Sequence, residues 1–202
     1  MSAARRRVGL FGGSFDPVHV AHVALARQAL AQLGLDELRW MPVGEPWQKA
    51  RALAPAVHRA AMVELAMAAE PRFVLERAEL DRPGATYTID TVRALAAAEP
   101  AVDWTLVLGE DQYAGLHTWH GWRELLDAVR LAVAGRPDTP IAPHPEVAGA
   151  ARDVVALPPM TVSSSDVRAR LARGLSIEGL VPDAVARYIA QHRLYAVPAT
   201  PA

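Results

Sequence analysis

Gly12-Gly13-Ser14-Phe15-Asp16-Pro17-Val18-His19-Val20-Ala21-His22 decides how this chain is read. It follows a short apolar run, Val8-Gly9-Leu10-Phe11, that predicts a buried first strand. The adjacent glycines predict a sharp turn and a close backbone approach to whatever binds there. Asp16-Pro17 predicts a helix start, with Asp16 as N-cap and Pro17 at the first helical position. His19 and His22 lie three residues apart and so share one face of that first turn. A strand, a glycine turn and a helix N-terminus carrying two imidazoles make a place to hold phosphate. The stretch is not the dinucleotide fingerprint, because no third glycine opens the helix. It is not a P-loop, because no Gly-Lys-Ser/Thr follows. A metal pair would need further ligands, and Asp16 is the one candidate nearby. Imidazoles here can donate to a phosphoryl oxygen and, near neutral pH, carry positive charge.

Outward from this stretch, strand and helix patterns alternate. Val20 to Leu33 predicts a helix with one apolar side, ended by Gly34. Leu38 to Val43 predicts a second strand, and Val57 to Ala69 a helix. Phe73-Val74-Leu75 predicts a third strand and Thr88 to Ala98 a helix. Trp104 to Leu108 predicts a buried strand stopped by Gly109, with a helix over Trp119 to Val129. Leu131 to Ala134 and Val154 to Leu157 predict the last two strands, separated by a Pro-rich loop from Arg136 to Pro145. Ser165 to Arg173 and Pro182 to Gln191 predict closing helices. The alternation implies an α/β fold, a Rossmann-like parallel sheet with helices on both faces. Residues 1–195 are expected to form a single domain, with a small helical C-terminal part over 163–195 and a disordered Pro/Ala-rich tail over 196–202. Ligands of such sheets bind at the carboxyl ends of the strands. The glycine turn, Gly109-Glu110-Asp111 and Ser163-Ser164-Ser165 should therefore meet at one rim.

Composition narrows the classes. The chain has 202 residues, is 51% hydrophobic and carries a net charge of -1, which gives no footprint for nucleic acid or a membrane surface. It has no cysteine, so disulfides and thiolate chemistry are excluded. With neither a signal-peptide pattern nor a spanning apolar run, it is expected in the cytoplasm. As an oligomer it is expected to be a monomer or a homodimer.

Three of the chain's six serines sit together in Val162-Ser163-Ser164-Ser165-Asp166-Val167-Arg168. Serines at a helix start cap amides that can bind an anion, and Arg168 in the first turn can add a charge-assisted contact.

These motifs carry a resemblance. GGSFDPVHVAH resembles the GG-x-F-D-P-x-H-x-G-H signature of the nucleotidyltransferase superfamily, with Ala21 where glycine is usual. Val162–Arg168 resembles its I-S-S-T-x-I-R signature, with Val162, Ser165 and Val167 for Ile, Thr and Ile. Thr86-Tyr87-Thr88-Ile89-Asp90-Thr91 is similar to the S/T-Y-T-x-x-T segment of the bacterial nicotinate-nucleotide adenylyltransferases. Gly109-Glu110-Asp111 is similar to their G-x-D, Thr118-Trp119 to their T-W, and Arg136-Pro137 to their R-P. The resemblance runs from Val8 to Tyr195.

It implies adenylyl transfer from ATP to nicotinate mononucleotide, giving nicotinate adenine dinucleotide and pyrophosphate. His19, His22 and Arg168 would be catalytic. ATP would meet Gly12, Gly13, Ser14, Phe15, His22, Lys49, Gly109, Asp111, Ser164, Ser165 and Arg168. Lys49, the sole lysine, stands in Pro46-Trp47-Gln48-Lys49 where relatives have P-P-H-K/R; a triphosphate contact and a solvated loop charge are both open. The mononucleotide would meet Asp16, Thr86, Tyr87, Thr88, Trp119 and His120, with Trp119 stacked on the pyridine and backbone amides on its carboxylate. Mg2+ would arrive with ATP, with no metal cage from the protein. The alternatives are a nicotinamide mononucleotide enzyme or a small nucleotidyltransferase of phosphopantetheine or glycerol-phosphate type.

Overall fold

The computed structural model describes residues 5–44, 53–135 and 142–195. Its strands are β1 Arg6–Gly13, β2 Glu37–Pro42, β3 Phe73–Leu75, β4 Val102–Leu108, β5 Arg130–Gly135 and β6 Arg152–Ala156. They form one sheet in the order β3-β2-β1-β4-β5-β6, and every neighbouring pair is parallel. The helices are α1 Val20–Gln32, α2 Ala56–Met67, α3 Thr88–Ala98, α4 Glu110–Ala114, α5 Trp122–Ala128, α6 Pro145–Gly149, α7 Ser164–Ala172 and α8 Asp183–Gln191. No helix among the described residues is long and apolar enough to cross a membrane. This is the expected Rossmann-like architecture. After β3 the chain crosses over β1 to start β4, so the winding reverses between β1 and β4. Ligands of doubly wound sheets bind at such a reversal, outside the carboxyl ends of the strands.

Side-chain alternation along the strands makes two cores. Val8 and Leu10 of β1 join Trp104 and Leu106 of β4 beneath Ile89 and Val92 of α3 and Leu125 of α5. Phe11 of β1 faces the other way, with Leu38 and Trp40 of β2. That second core is covered by α1, α2, α7 and α8, through residues such as Leu30, Met62, Val167 and Ile189.

The structure differs from the sequence reading in a few elements. The helix expected from Trp119 starts at Trp122: a 3-10 turn over Leu116–Thr118 ends at Trp119, and Gly121, in a left-handed conformation (φ 64°), is the N-cap. An ideal Cβ on Gly121 would lie 3.0 Å from Ile89 Cγ2, so space as well as conformation favours glycine there. Two five-residue helices, α4 and α6, are too short to leave a periodic signal. The tail over 196–202 lies outside the described residues.

One buried charge ties the carboxyl rim together. Arg59 lies on the inward face of α2, only 2% exposed. Its Nε donates to Ala54 O at 2.9 Å, Nη2 to Gly44 O at 3.1 Å, and Nη1 to Val43 O at 2.6 Å and Ser14 O at 3.2 Å. One guanidinium thus holds the turn after β1, the end of β2 and the approach to α2. Arg59→Met keeps the apolar stem but leaves these carbonyls without their donor. Each buried unsatisfied group costs about 1–3 kcal/mol, so stability should fall by at least ~3 kcal/mol. Urea unfolding checks this, and a midpoint equal to wild type refutes it.

Candidate active site

The turn after β1 is built by packing. Phe15 adopts a left-handed backbone (φ 45°), uncommon for a bulky residue, and its ring is 1% exposed. It packs edge-on against Phe11, with ring centroids 5.4 Å apart, and against His22 at 5.1 Å. An ideal Cβ on Gly13 would sit 2.9 Å from the Phe15 ring. Gly12 and Gly13 are still part of β1, and neither has a positive φ. The expected sharp glycine turn is therefore corrected: Phe15 makes the unusual turn, and Gly13 gives its ring room.

The helix start is corrected as well. Asp16 does not cap α1, and Pro17 is not its first residue. The Asp16 carboxylate is fully buried, and its Oδ1 accepts from Tyr195 Oη at 2.6 Å and Ala54 N at 3.2 Å. The N-cap is His19, in extended conformation, and α1 begins at Val20. The backbone N–H of His19 donates to His22 Nδ1 at 3.2 Å, and the two imidazoles stack with centroids 3.6 Å apart. With Nδ1 accepting, the His22 ring proton is assigned to Nε2. His19 is 7% exposed, and burial lowers its pKa to about 4 against the attraction of Asp166. At pH 7 the ligand-free His19 is a neutral hydrogen-bonding group, and the charge expected on it is corrected by this desolvation. Its buried Nδ1 has no hydrogen-bond partner among the described residues.

The start of α7 docks directly on this turn. Ser163 caps α7, its Oγ accepting from Asp166 N at 3.1 Å. Ser164 Oγ donates to Pro17 O at 2.9 Å. Arg168 donates from Nη1 to Asp16 O at 2.6 Å and from Nη2 to Ser165 Oγ at 3.1 Å. The serine stretch and the glycine stretch, 147 residues apart at Ser164 and Pro17, therefore share one rim. The positive ends of α1 and α7, with the Arg168 guanidinium, make that rim suitable for phosphate.

Beside the rim opens a cavity of about 290 Å³. Its β1 side is Phe11, Gly12, Gly13 and Ser14, and α1 adds His22 and Leu25. Its far side is Thr86, Tyr87 and Thr88 at the start of α3, with Trp119 and His120. Gly109, Gln112, Met41, Val43 and Glu79 complete the lining. Tyr87 and His120 bring their rings to 4.3 Å. Trp119 packs partly on the core, so only part of the indole is available to a ligand.

The structure thus gathers most of the expected residues into one place. Phe15 is a core side chain, so only its backbone can meet a ligand. Asp16 and His19 stand behind the turn, while Ser164, Ser165 and Arg168 lie at its edge. Asp111 is exposed on α4 and is not in the cavity lining. Lys49 and Arg136-Pro137 lie outside the described residues. Sequence reasoning missed Glu79, Gln112, Met41, Val43 and Leu25 in the lining, and Arg59 behind it. Arg59 did leave a signal, a charge on the apolar stripe that continues through Val63 and Ala66. Among the described residues no three His, Asp or Glu side chains are grouped to hold a metal ion.

Residues 10–170 match the model of the cytidylyltransferase-like family. A relative from Methylibium petroleiphilum, described as "Probable nicotinate-nucleotide adenylyltransferase", is 50% identical over 98% of this chain and 96% of its own length. One from Bordetella petrii with the same description is 52% identical over 94% of this chain and 99% of its own. The fold also matches a solved structure, "Plasmodium falciparum nicotinic acid mononucleotide adenylyltransferase complexed with NaAD", with TM-score 0.80 at 18% identity, over 94% of this chain and 97% of that one. With the turn after β1, the serine-capped α7 and the α3 cavity joined at one rim, the chain belongs to the cytidylyltransferase-like family and, within it, to the nicotinate-nucleotide adenylyltransferases.

Proposed function

We propose that this chain transfers the adenylyl group of ATP to nicotinate mononucleotide, as a step of NAD biosynthesis. The observation that carries this is the junction of a phosphate rim and an aromatic cavity across His22. A phosphate oxygen of the mononucleotide attacks the α-phosphorus of ATP, a new P–O bond forms, and the bond to the β-phosphate oxygen breaks. Pyrophosphate leaves. The nucleophile is already an anion at pH 7, so no general base is required. Catalysis is then positioning plus stabilisation of charge on the phosphoryl oxygens.

The geometry distributes the work. The end of β1 at Gly12, Gly13 and Ser14 lets the nucleotide approach the backbone. His22 presents its Nε2–H to a phosphoryl oxygen, and neutral His19 holds His22 by stacking and by its backbone N–H. Arg168, fixed on Asp16 O and Ser165, faces the triphosphate together with the N-terminus of α7. Mg2+ is part of the ATP substrate, carried on its phosphates. On the other side the pyridine stacks on Trp119, and its carboxylate accepts from backbone N–H groups beside Thr86–Thr88. Coupled pyrophosphate release with ATP and each pyridine mononucleotide in turn tests the reaction.

His22→Ala removes a preorganised donor and should lower kcat on the order of 100-fold in a folded protein. Near-native kcat in a soluble variant would sink the assignment. Arg168→Lys keeps the charge but loses the fork, and should raise KM for ATP or lower kcat, with a smaller effect on the mononucleotide. Unchanged ATP kinetics would make Arg168 a brace for the turn alone. An amide ligand turns its own NH2 toward a backbone donor and leaves it unpaired, at about 1–3 kcal/mol. Nicotinate mononucleotide should therefore exceed nicotinamide mononucleotide by at least about tenfold in kcat/KM. Equal specificity constants would leave adenylyl transfer standing and refute the choice of substrate.

A further inference from the structure

Glu79 lines the cavity, and the adenylyl-transfer mechanism does not use its carboxyl group. The residue is 3% exposed. Two hydroxyls donate to it: Thr86 Oγ1 to Oε2 at 3.2 Å and Thr91 Oγ1 to Oε1 at 3.5 Å. Thr86 and Thr91 flank the start of α3, whose amides face the pyridine carboxylate in the function proposed above. The main chain at Glu79 cannot move aside easily. It packs on the end of β2, where an ideal Cβ on Gly44 would fall 2.2 Å from Glu79 O. Gly44 is itself held from behind by Arg59 Nη2 at 3.1 Å.

We propose that Glu79 is a specificity-determining residue whose charge sets how strongly the pyridine site prefers an acid to an amide. The proposal rests on the nicotinate reading of the cavity. An ionised Glu79 behind the α3 turn repels a ligand carboxylate and leaves a carboxamide untouched. A neutral Glu79 removes the repulsion. Burial pushes the Glu79 pKa up, while Thr86, Arg82 and Thr91 pull it down. The other charged or titratable groups around it are Arg82, which reaches Thr91 Oγ1 at 3.4 Å, and Arg59 beyond Gly44. His22, Tyr87 and His120 line the same cavity from α1, the start of α3 and the turn before α5.

The sign follows directly. Rising pH ionises Glu79, weakens the acid substrate and leaves the amide unchanged. The readout is the ratio of kcat/KM for nicotinate mononucleotide to that for nicotinamide mononucleotide, measured from pH 5 to 9 with saturating Mg-ATP. Both substrates carry the same phosphate and meet the same His22, so those titrations cancel in the ratio. In the wild-type enzyme the ratio should fall about tenfold through one inflection, as expected for one added like charge at close range. In Glu79→Gln it should stay flat, at the wild type's low-pH level. Arg82→Gln, a change outside the cavity lining, removes a charge that favours ionised Glu79 and should move the inflection to higher pH. That variant keeps the test decisive if Glu79→Gln does not fold. A flat wild-type ratio, an inflection that survives in Glu79→Gln, or one that stays put in Arg82→Gln overturns the proposal. If Glu79 only braces Thr86, Glu79→Gln lowers both constants together and the wild-type ratio is flat. No pyrophosphate release with either mononucleotide would instead defeat the function proposed above.

Discussion

The Arg59 guanidinium, buried among backbone carbonyls, is the constraint on which the rest of the rim depends. Parallel strands end with their carbonyls at one edge, and the loops that leave them cannot satisfy those groups through sheet pairing. Water satisfies them in many proteins, but a site meant to exclude water needs an internal donor. Arginine suits this because five N–H groups lie in one rigid plane. Here that plane meets Ser14, Val43, Gly44 and Ala54, which come from three separate segments. The buried Asp16 carboxylate lies near enough to stabilise the cation, and Tyr195, beyond α8, in turn fixes Asp16. The turn after β1 is thus held from below by the protein's own groups.

The same turn is held from above by α7. Ser164 and Arg168 spend hydrogen bonds on the carbonyls of Pro17 and Asp16, residues that a helix starting at Asp16 would have consumed internally. Delaying the helix to Val20 therefore frees those carbonyls to receive the last part of the chain. It also puts His19 at the N-cap and His22 in the first turn, stacked rather than side by side on a helical face. Burial keeps His19 neutral, and the His19 N–H donating to Nδ1 fixes the tautomer of His22. In the proposed reaction, oriented dipoles at the helix starts would then act on the phosphates beside Arg168, at no reorganisation cost during phosphoryl transfer.

The sheet was legible in the sequence because buried parallel strands leave continuous apolar runs, as in Trp104 to Leu108. The stretch after β1 was legible because its residues are contiguous. The start of α1 was misread because Asp-Pro has a local meaning that tertiary contacts override: Tyr195 and Ala54 take the carboxylate that would have capped the helix. Glu79 was invisible for the opposite reason. It lies between charged neighbours Arg77, Asp81 and Arg82, where the Arg77–Asp81 pair is solvated, and nothing in that pattern marks Glu79 as the buried member. Its burial is decided at Gly44, more than thirty residues earlier in the chain, by close backbone packing. Periodicity reports which face of an element is inside, and it cannot report a contact between two irregular segments.

In the function and the Glu79 role proposed above, one cavity would prefer an anion while the chain carries almost no net charge. A cationic side chain beside the pyridine would attract either mononucleotide through its phosphate and would add little discrimination. Backbone donors at the start of α3 act only at hydrogen-bond range, so they distinguish the ring substituent from the phosphate farther away. A carboxyl group behind those donors works at slightly longer range and with the opposite sign. Held neutral it is harmless to the acid; ionised it opposes the acid specifically. Selectivity in the proposed site is then a difference between short-range dipoles and one buried charge, and burial strengthens both by lowering the local dielectric.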